Sequence, residues 1–106
     1  MIIDSTIKLI AKFRKLHLEW LEKREHGLLK QMFALLPKVE NQIKDFSQAN
    51  TPYKWKDRFV QVSSEYIEDF KATFQKKGHG SNIAQSSQSI DNALAWLFEN
   101  IPELKE

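Results

Sequence analysis

The side chains of this sequence best suited to acid–base or metal chemistry are its three histidines and the carboxylates near them. Glu22 and His26 stand four residues apart. With Glu19 they would share one helical face, a spacing that lets side chains converge on a metal ion. A metal centre in a helical bundle needs inward carboxylates and Glu-x-x-His pairs on more than one helix, a pattern this sequence lacks. An ordinary solvated pair is therefore expected there, with no metal and no cofactor. His17 falls inside an apolar stripe and is expected as a satisfied or half-exposed histidine at a core edge rather than a catalytic base. His79 lies between Gly78 and Gly80, behind Lys76 and Lys77. That stretch lacks the spacing of a phosphate-binding loop and reads as a helix connector. With no cysteine, the chain has neither a thiol nucleophile nor a disulfide. Nucleophile-elbow, zinc-protease, dinucleotide and EF-hand patterns do not occur, so an enzyme is not expected.

Binding chemistry has more to work with. The net charge is +2, but residues 1–58 hold 12 Lys/Arg against 7 Asp/Glu, whereas residues 59–106 hold 4 against 7. Such asymmetry bears on partners and steering rather than on fold. Lys8, Lys12, Lys15 and Lys23, with Arg14 and Arg24, suggest a basic face broken by Glu19, Glu22 and Glu25. The run Tyr53-Lys54-Trp55-Lys56-Asp57-Arg58 interleaves aromatic and cationic side chains, as single-strand nucleic-acid binders do. Three Trp, seven Phe and two Tyr are more aromatics than a small helical core requires, and Trp96 falls off the Ile90, Leu94, Leu97 seam of its segment. Aromatics left at a surface anchor protein interfaces.

The leading expectation is a non-enzymatic protein-binding module that occludes a partner protein, most concretely an immunity or inhibitor protein acting on a toxin or secreted effector. Its contact residues would include Lys12, Lys15, Glu19, Lys23, Trp55 and Trp96. The alternative is a nucleic-acid-binding accessory subunit using Lys8, Lys12, Lys15, Lys54, Lys56 and Arg58. No membrane partner is expected. The opening Met-Ile-Ile-Asp-Ser-Thr lacks a basic, then apolar, export signal, and no apolar run reaches membrane-spanning length. A cytoplasmic setting follows as an expectation. Oligomeric state has no signature in the sequence.

These side chains must be positioned by helices. A chain of 106 residues with only 3 Gly and 3 Pro, and hydrophobic residues at helical rather than alternating spacing, predicts an all-α fold in one domain. The expected architecture is an antiparallel up-down bundle of four helices. Helix one carries Ile2, Leu9, Phe13, Leu16 and Trp20 beside Ile3, Ile7, Ile10, His17 and Leu21, with Asp4 or Ser5 as N-cap and a break at His26-Gly27. The second stripe, Leu28, Met32, Leu35, Leu36, Val39, Ile43 and Phe46, contains Pro37, which should kink it, or stop it near Ala34 and restart it with Pro37 as the first helical residue. A competing arrangement joins residues 4–36 into one helix, leaving three long helices and a short one with the break at Pro37.

Residues 48–52 form the connector, and Thr51-Pro52 reads as N-cap and first turn of a helix running to Lys76. Its stripe is Trp55, Phe59, Val60, Ser63, Ile67, Phe70 and Phe74, with Tyr66 flanking and Glu65, Glu68 and Asp69 facing away. Ser81 would cap the last helix, whose core positions are Ile83, Ser87, Ile90, Leu94, Leu97 and Ile101. The weakly helical run 85–89 permits a later start capped by Ser89. Asn100-Ile101-Pro102 should stop it, with the residues beyond expected to fray.

Overall fold

The computed structural model describes residues 2–74, 82–101 and 104. The chain is all-α, with four helices: α1 (Ile2–Lys23), α2 (His26–Gln48), α3 (Lys56–Phe74) and α4 (Ile83–Asn100). Among the described residues there is no strand, and no helix is long and apolar enough to cross a membrane. The helices form two compact units, residues 1–46 and 47–106, each holding one closely packed helical pair.

In the first unit, α1 is already helical at Ile2, so neither Asp4 nor Ser5 caps it. It ends on Arg24, not on Gly27. Arg24 adopts the left-handed conformation (φ 56°) and its N–H donates to the Trp20 carbonyl at 2.7 Å. That conformation costs a non-glycine residue about 1–2 kcal/mol. Side-chain contacts offset the cost: the guanidinium lies 4.5 Å over the Trp20 ring and its Nε donates to the Leu21 carbonyl. Gly27 is instead part of the first turn of α2, where an added Cβ would meet nothing within 4 Å.

α2 runs without interruption through Pro37, so neither a restart nor three long helices results. Pro37 and its neighbours Phe33, Ala34 and Lys38 are exposed, while Met32, Leu36, Val39, Ile43 and Phe46 are buried. The missing N–H therefore falls on the solvent side of the helix, where the loss is smallest. Thr6 Oγ1 donates to Gln42 Oε1 at 3.1 Å, and these two residues lie equally far from Arg24 along the chain. The pair is thus an antiparallel hairpin closed by a two-residue turn.

The core of this unit also holds polar side chains. His17 and Arg14 are only 3% and 7% exposed, and Arg14 Nη1 lies 3.1 Å from His17 Nδ1. A guanidinium can only donate, so Nδ1 accepts and the histidine is neutral with its proton on Nε2. His17 is therefore the satisfied core histidine the sequence suggested, and Arg14 does not belong to the basic face.

In the second unit, α3 begins at Lys56 rather than Pro52. The Trp55 carbonyl accepts the Phe59 N–H at 3.0 Å, so the first helical hydrogen bond closes onto Trp55. Thr51 does not cap the helix, and its buried hydroxyl has no hydrogen-bond partner. The buried face of α3 is Phe59, Val62, Ser63, Tyr66, Ile67 and Phe70. Val62 replaces Val60, which is half-buried, and Tyr66 is fully enclosed rather than flanking. Each large apolar side chain so buried contributes about 1.5–3 kcal/mol.

α4 buries Ser86, Ile90, Leu94 and Leu97. Ser86 thus takes the place expected of Ser87, and the run 85–89 is helical throughout. Ser86 donates its hydroxyl proton to Asp69 Oδ2, so Asp69 does not face away from the pair. α4 ends as expected at Asn100, whose side-chain amide donates to the Trp96 carbonyl at 2.8 Å. Leu104 is buried beyond that end and donates its N–H to the Ile101 carbonyl, so this residue does not fray. The expected features at Lys76, Gly78-His79-Gly80, Ser81 and Pro102 lie outside the described residues.

Candidate protein-binding groove

Two of the expected partner contacts share one site in the second unit. Trp55, just before α3, and Trp96, near the end of α4, line one open groove of about 360 Å³. The antiparallel course of α3 and α4 brings them together: the start of one helix lies beside the end of the other, so Phe59 and Val62 face Ala93 and Leu97. These four form the apolar floor and sides. Among the described residues Arg58 is the one charged side chain lining the groove, and Ser89 and Asn92 supply the neutral polar groups.

The aromatics are held differently on the two walls. Trp55 stacks on Tyr53 (centroids 5.0 Å apart, planes 25° apart) and meets Phe59 edge-on at 6.2 Å and 82°. This ladder fixes the Trp55 ring before anything binds. Lys56 steadies the same segment by donating from Nζ to the Ala49 carbonyl. Trp96 is 49% exposed, the most exposed of the large hydrophobic side chains among the described residues. It left the Ile90, Leu94, Leu97 seam because it stands on the groove wall rather than in the core.

A second hollow, of about 410 Å³, lies toward the other end of the same helix pair. Its lining is polar: Glu65, Glu68 and Asp69 with Ser64 on α3, and Gln85 and Ser86 on α4, with Asn82 just before that helix. Lys71 Nζ lies 3.7 Å from Glu68, and Gln61 donates to Glu65 at 3.3 Å. Ser89 lines both hollows.

The remaining expected site residues do not join this groove. Lys8, Lys12, Lys15, Glu19 and Lys23 recur along one face of α1 in the first unit, with Lys23 paired to Glu19 at 3.9 Å. Lys8, Lys12, Lys15 and Lys23 are exposed and Glu19 is half-buried. Lys54 is exposed in the connector, and Lys56 is committed to Ala49. The residues expected for nucleic acid therefore fall in both units, and only Arg58 lines the groove. The strip expected of Glu22 and His26 does not form, because the chain leaves the helix at Arg24 between them. Among the described residues no group of His, Asp or Glu is arranged to hold a metal ion.

Val62, Ser89 and Leu97 are groove residues beyond those the sequence singles out, and of the three carboxylates Glu65 and Glu68 are exposed as their spacing predicts while Asp69 is half-buried. One signal was available: Arg58, Val62, Glu65 and Asp69 recur at i, i+4, i+7 and i+11, which places them in a single row. No family model, curated protein or solved structure matches the chain.

Proposed function

We propose that this chain is a non-enzymatic protein-binding module whose groove between α3 and α4 receives an apolar side chain of a partner protein and occludes the surface around it. An inhibitor or immunity protein acting on a toxin or secreted effector is the most concrete form of that role. The observation that carries the reading is Trp96: a half-exposed tryptophan forms the wall of an apolar groove whose opposite wall, Trp55, is already fixed by stacking. Rigid aromatic walls lose little conformational entropy on binding, and tryptophan and arginine are the side chains most enriched among interface hot spots. Arg58 at the rim offers a planar pair of donors to a carboxylate beside the anchoring side chain.

The test is co-purification from the source cells with the wild-type chain, Trp96→Ala and the α1 double variant Lys12→Glu/Lys15→Glu. The expected outcome is a protein recovered in near-equal amount with the wild type and the α1 variant, and lost with Trp96→Ala. Equal recovery with Trp96→Ala, or selective loss with the α1 variant, would move the binding surface away from the groove.

A further inference from the structure

The two hollows of the second unit belong to one face. On α3, Arg58 and Val62 of the apolar groove continue directly into Glu65 and Asp69 of the polar hollow, and on α4 Ser89 belongs to both. The result is a single furrow along the α3–α4 pair with chemically opposite ends. One end holds Trp96 and the cation Arg58. The other holds Glu65, Glu68 and Asp69, with Lys71 against Glu68. Arg58 precedes Glu65 and Glu68 by two to three turns, so the ends lie about 10 to 15 Å apart at 1.5 Å per residue.

We infer that the furrow takes an amphipathic helix of a partner protein bearing a bulky apolar anchor at one end and lysine or arginine two to three turns away. This rests on the protein-binding reading of the groove and specifies the partner. The anchor enters between Trp55 and Trp96, an acidic side chain next to it meets Arg58, and the basic residues meet the carboxylates. A helix suits the furrow because positions i, i+7 and i+10 fall near one face and cover that span. Charge complementarity also selects against nucleic acid: a phosphate backbone following the furrow past Arg58 would run into the carboxylates.

The experiment uses the full chain and three labelled probes: a helical peptide with a Trp anchor, a neighbouring Glu and two Lys two to three turns on; its counterpart with the Lys changed to Glu; and a single-stranded RNA. Binding is read by fluorescence anisotropy at low and physiological salt, with helical content of each variant checked by circular dichroism. The basic peptide is expected to bind, the acidic counterpart at least tenfold more weakly. Glu65→Gln and Glu68→Gln are each expected to weaken the basic peptide about threefold to fivefold and to flatten its salt dependence. Both peptides are expected to lose binding with Trp96→Ala.

Equal binding of the two peptides, with Trp96→Ala still abolishing both, overturns the charged-helix inference and leaves the groove reading standing. Insensitivity to Trp96→Ala, or no binding of either peptide, overturns both. RNA binding that competes with the peptide and depends on Arg58 overturns the exclusion of nucleic acid, and the inference with it.

Discussion

Ser63 is wholly enclosed within α3, yet its hydroxyl finds no hydrogen-bond partner. A buried, unmatched hydroxyl costs about 1–3 kcal/mol in lost hydration, and alanine fills nearly the same space. Ser63→Ala is therefore expected to raise stability by about 1 kcal/mol, measured as a higher midpoint of urea unfolding at unchanged slope. His17 is the opposite case, because its ring accepts a hydrogen bond from the buried Arg14 guanidinium. His17→Leu, an apolar side chain of similar size, removes that acceptor and is expected to cost about 1–3 kcal/mol. His17→Gln retains an acceptor and should cost less. At Arg24 the backbone favours glycine while the contacts favour arginine. Arg24→Ala loses the Trp20 contact and keeps the strain, so Arg24→Gly should be about 1 kcal/mol the more stable of the two variants.

At the scale of elements, the most informative departures concern where helices begin and end. Helical spacing made all four segments readable, because hydrophobic residues that must reach a core repeat at the pitch of the helix. Their ends were less readable because a cap depends on contacts made in space. Glycine is the usual residue for leaving a helix, so Gly27 was the natural choice. The Trp20 ring under Arg24 moved the break three residues earlier, and no local pattern announces that stacking. Gly27 consequently sits in a helix with open space around it, and Gly27→Ala is expected to stabilise the protein by about 0.4–1 kcal/mol.

Pro37 was expected to disrupt α2. Its exposed position explains why the helix continues, and Pro37→Ala should raise the thermal midpoint by restoring an N–H directed toward Phe33. For the groove, Trp55 is legible from the aromatic and cationic run around it and Trp96 from its departure from the seam of its helix. Their union is not, because it depends on α3 and α4 running antiparallel beside each other. Among the carboxylates of the polar hollow, Glu65 and Glu68 face outward as their spacing predicts, whereas Asp69 becomes part of a helix pair through Ser86 on the opposite helix, a contact no local pattern announces.

For the molecule as a whole, the charge asymmetry follows the division into two units. Residues 1–46 carry 9 Lys/Arg against 6 Asp/Glu, and residues 47–106 carry 7 against 8. The positive surplus belongs to the first unit, and the furrow lies in the unit that has none. On a heparin column, Lys12→Gln with Lys15→Gln should elute at lower salt than the wild type. Neutralising Glu65 and Glu68 should have the reverse effect.

The link between Thr6 and Gln42 has a further consequence, for how the chain can change length. One residue inserted within α2 ahead of Gln42 rotates everything after it by about 100° and shifts it 1.5 Å, carrying Gln42 away from Thr6 and Ile43 out of the core. The same residue inserted between Arg24 and His26 enlarges only the turn. Insertions and deletions that leave the first hairpin intact should therefore cluster at that turn, making it the natural place to graft a tag or loop.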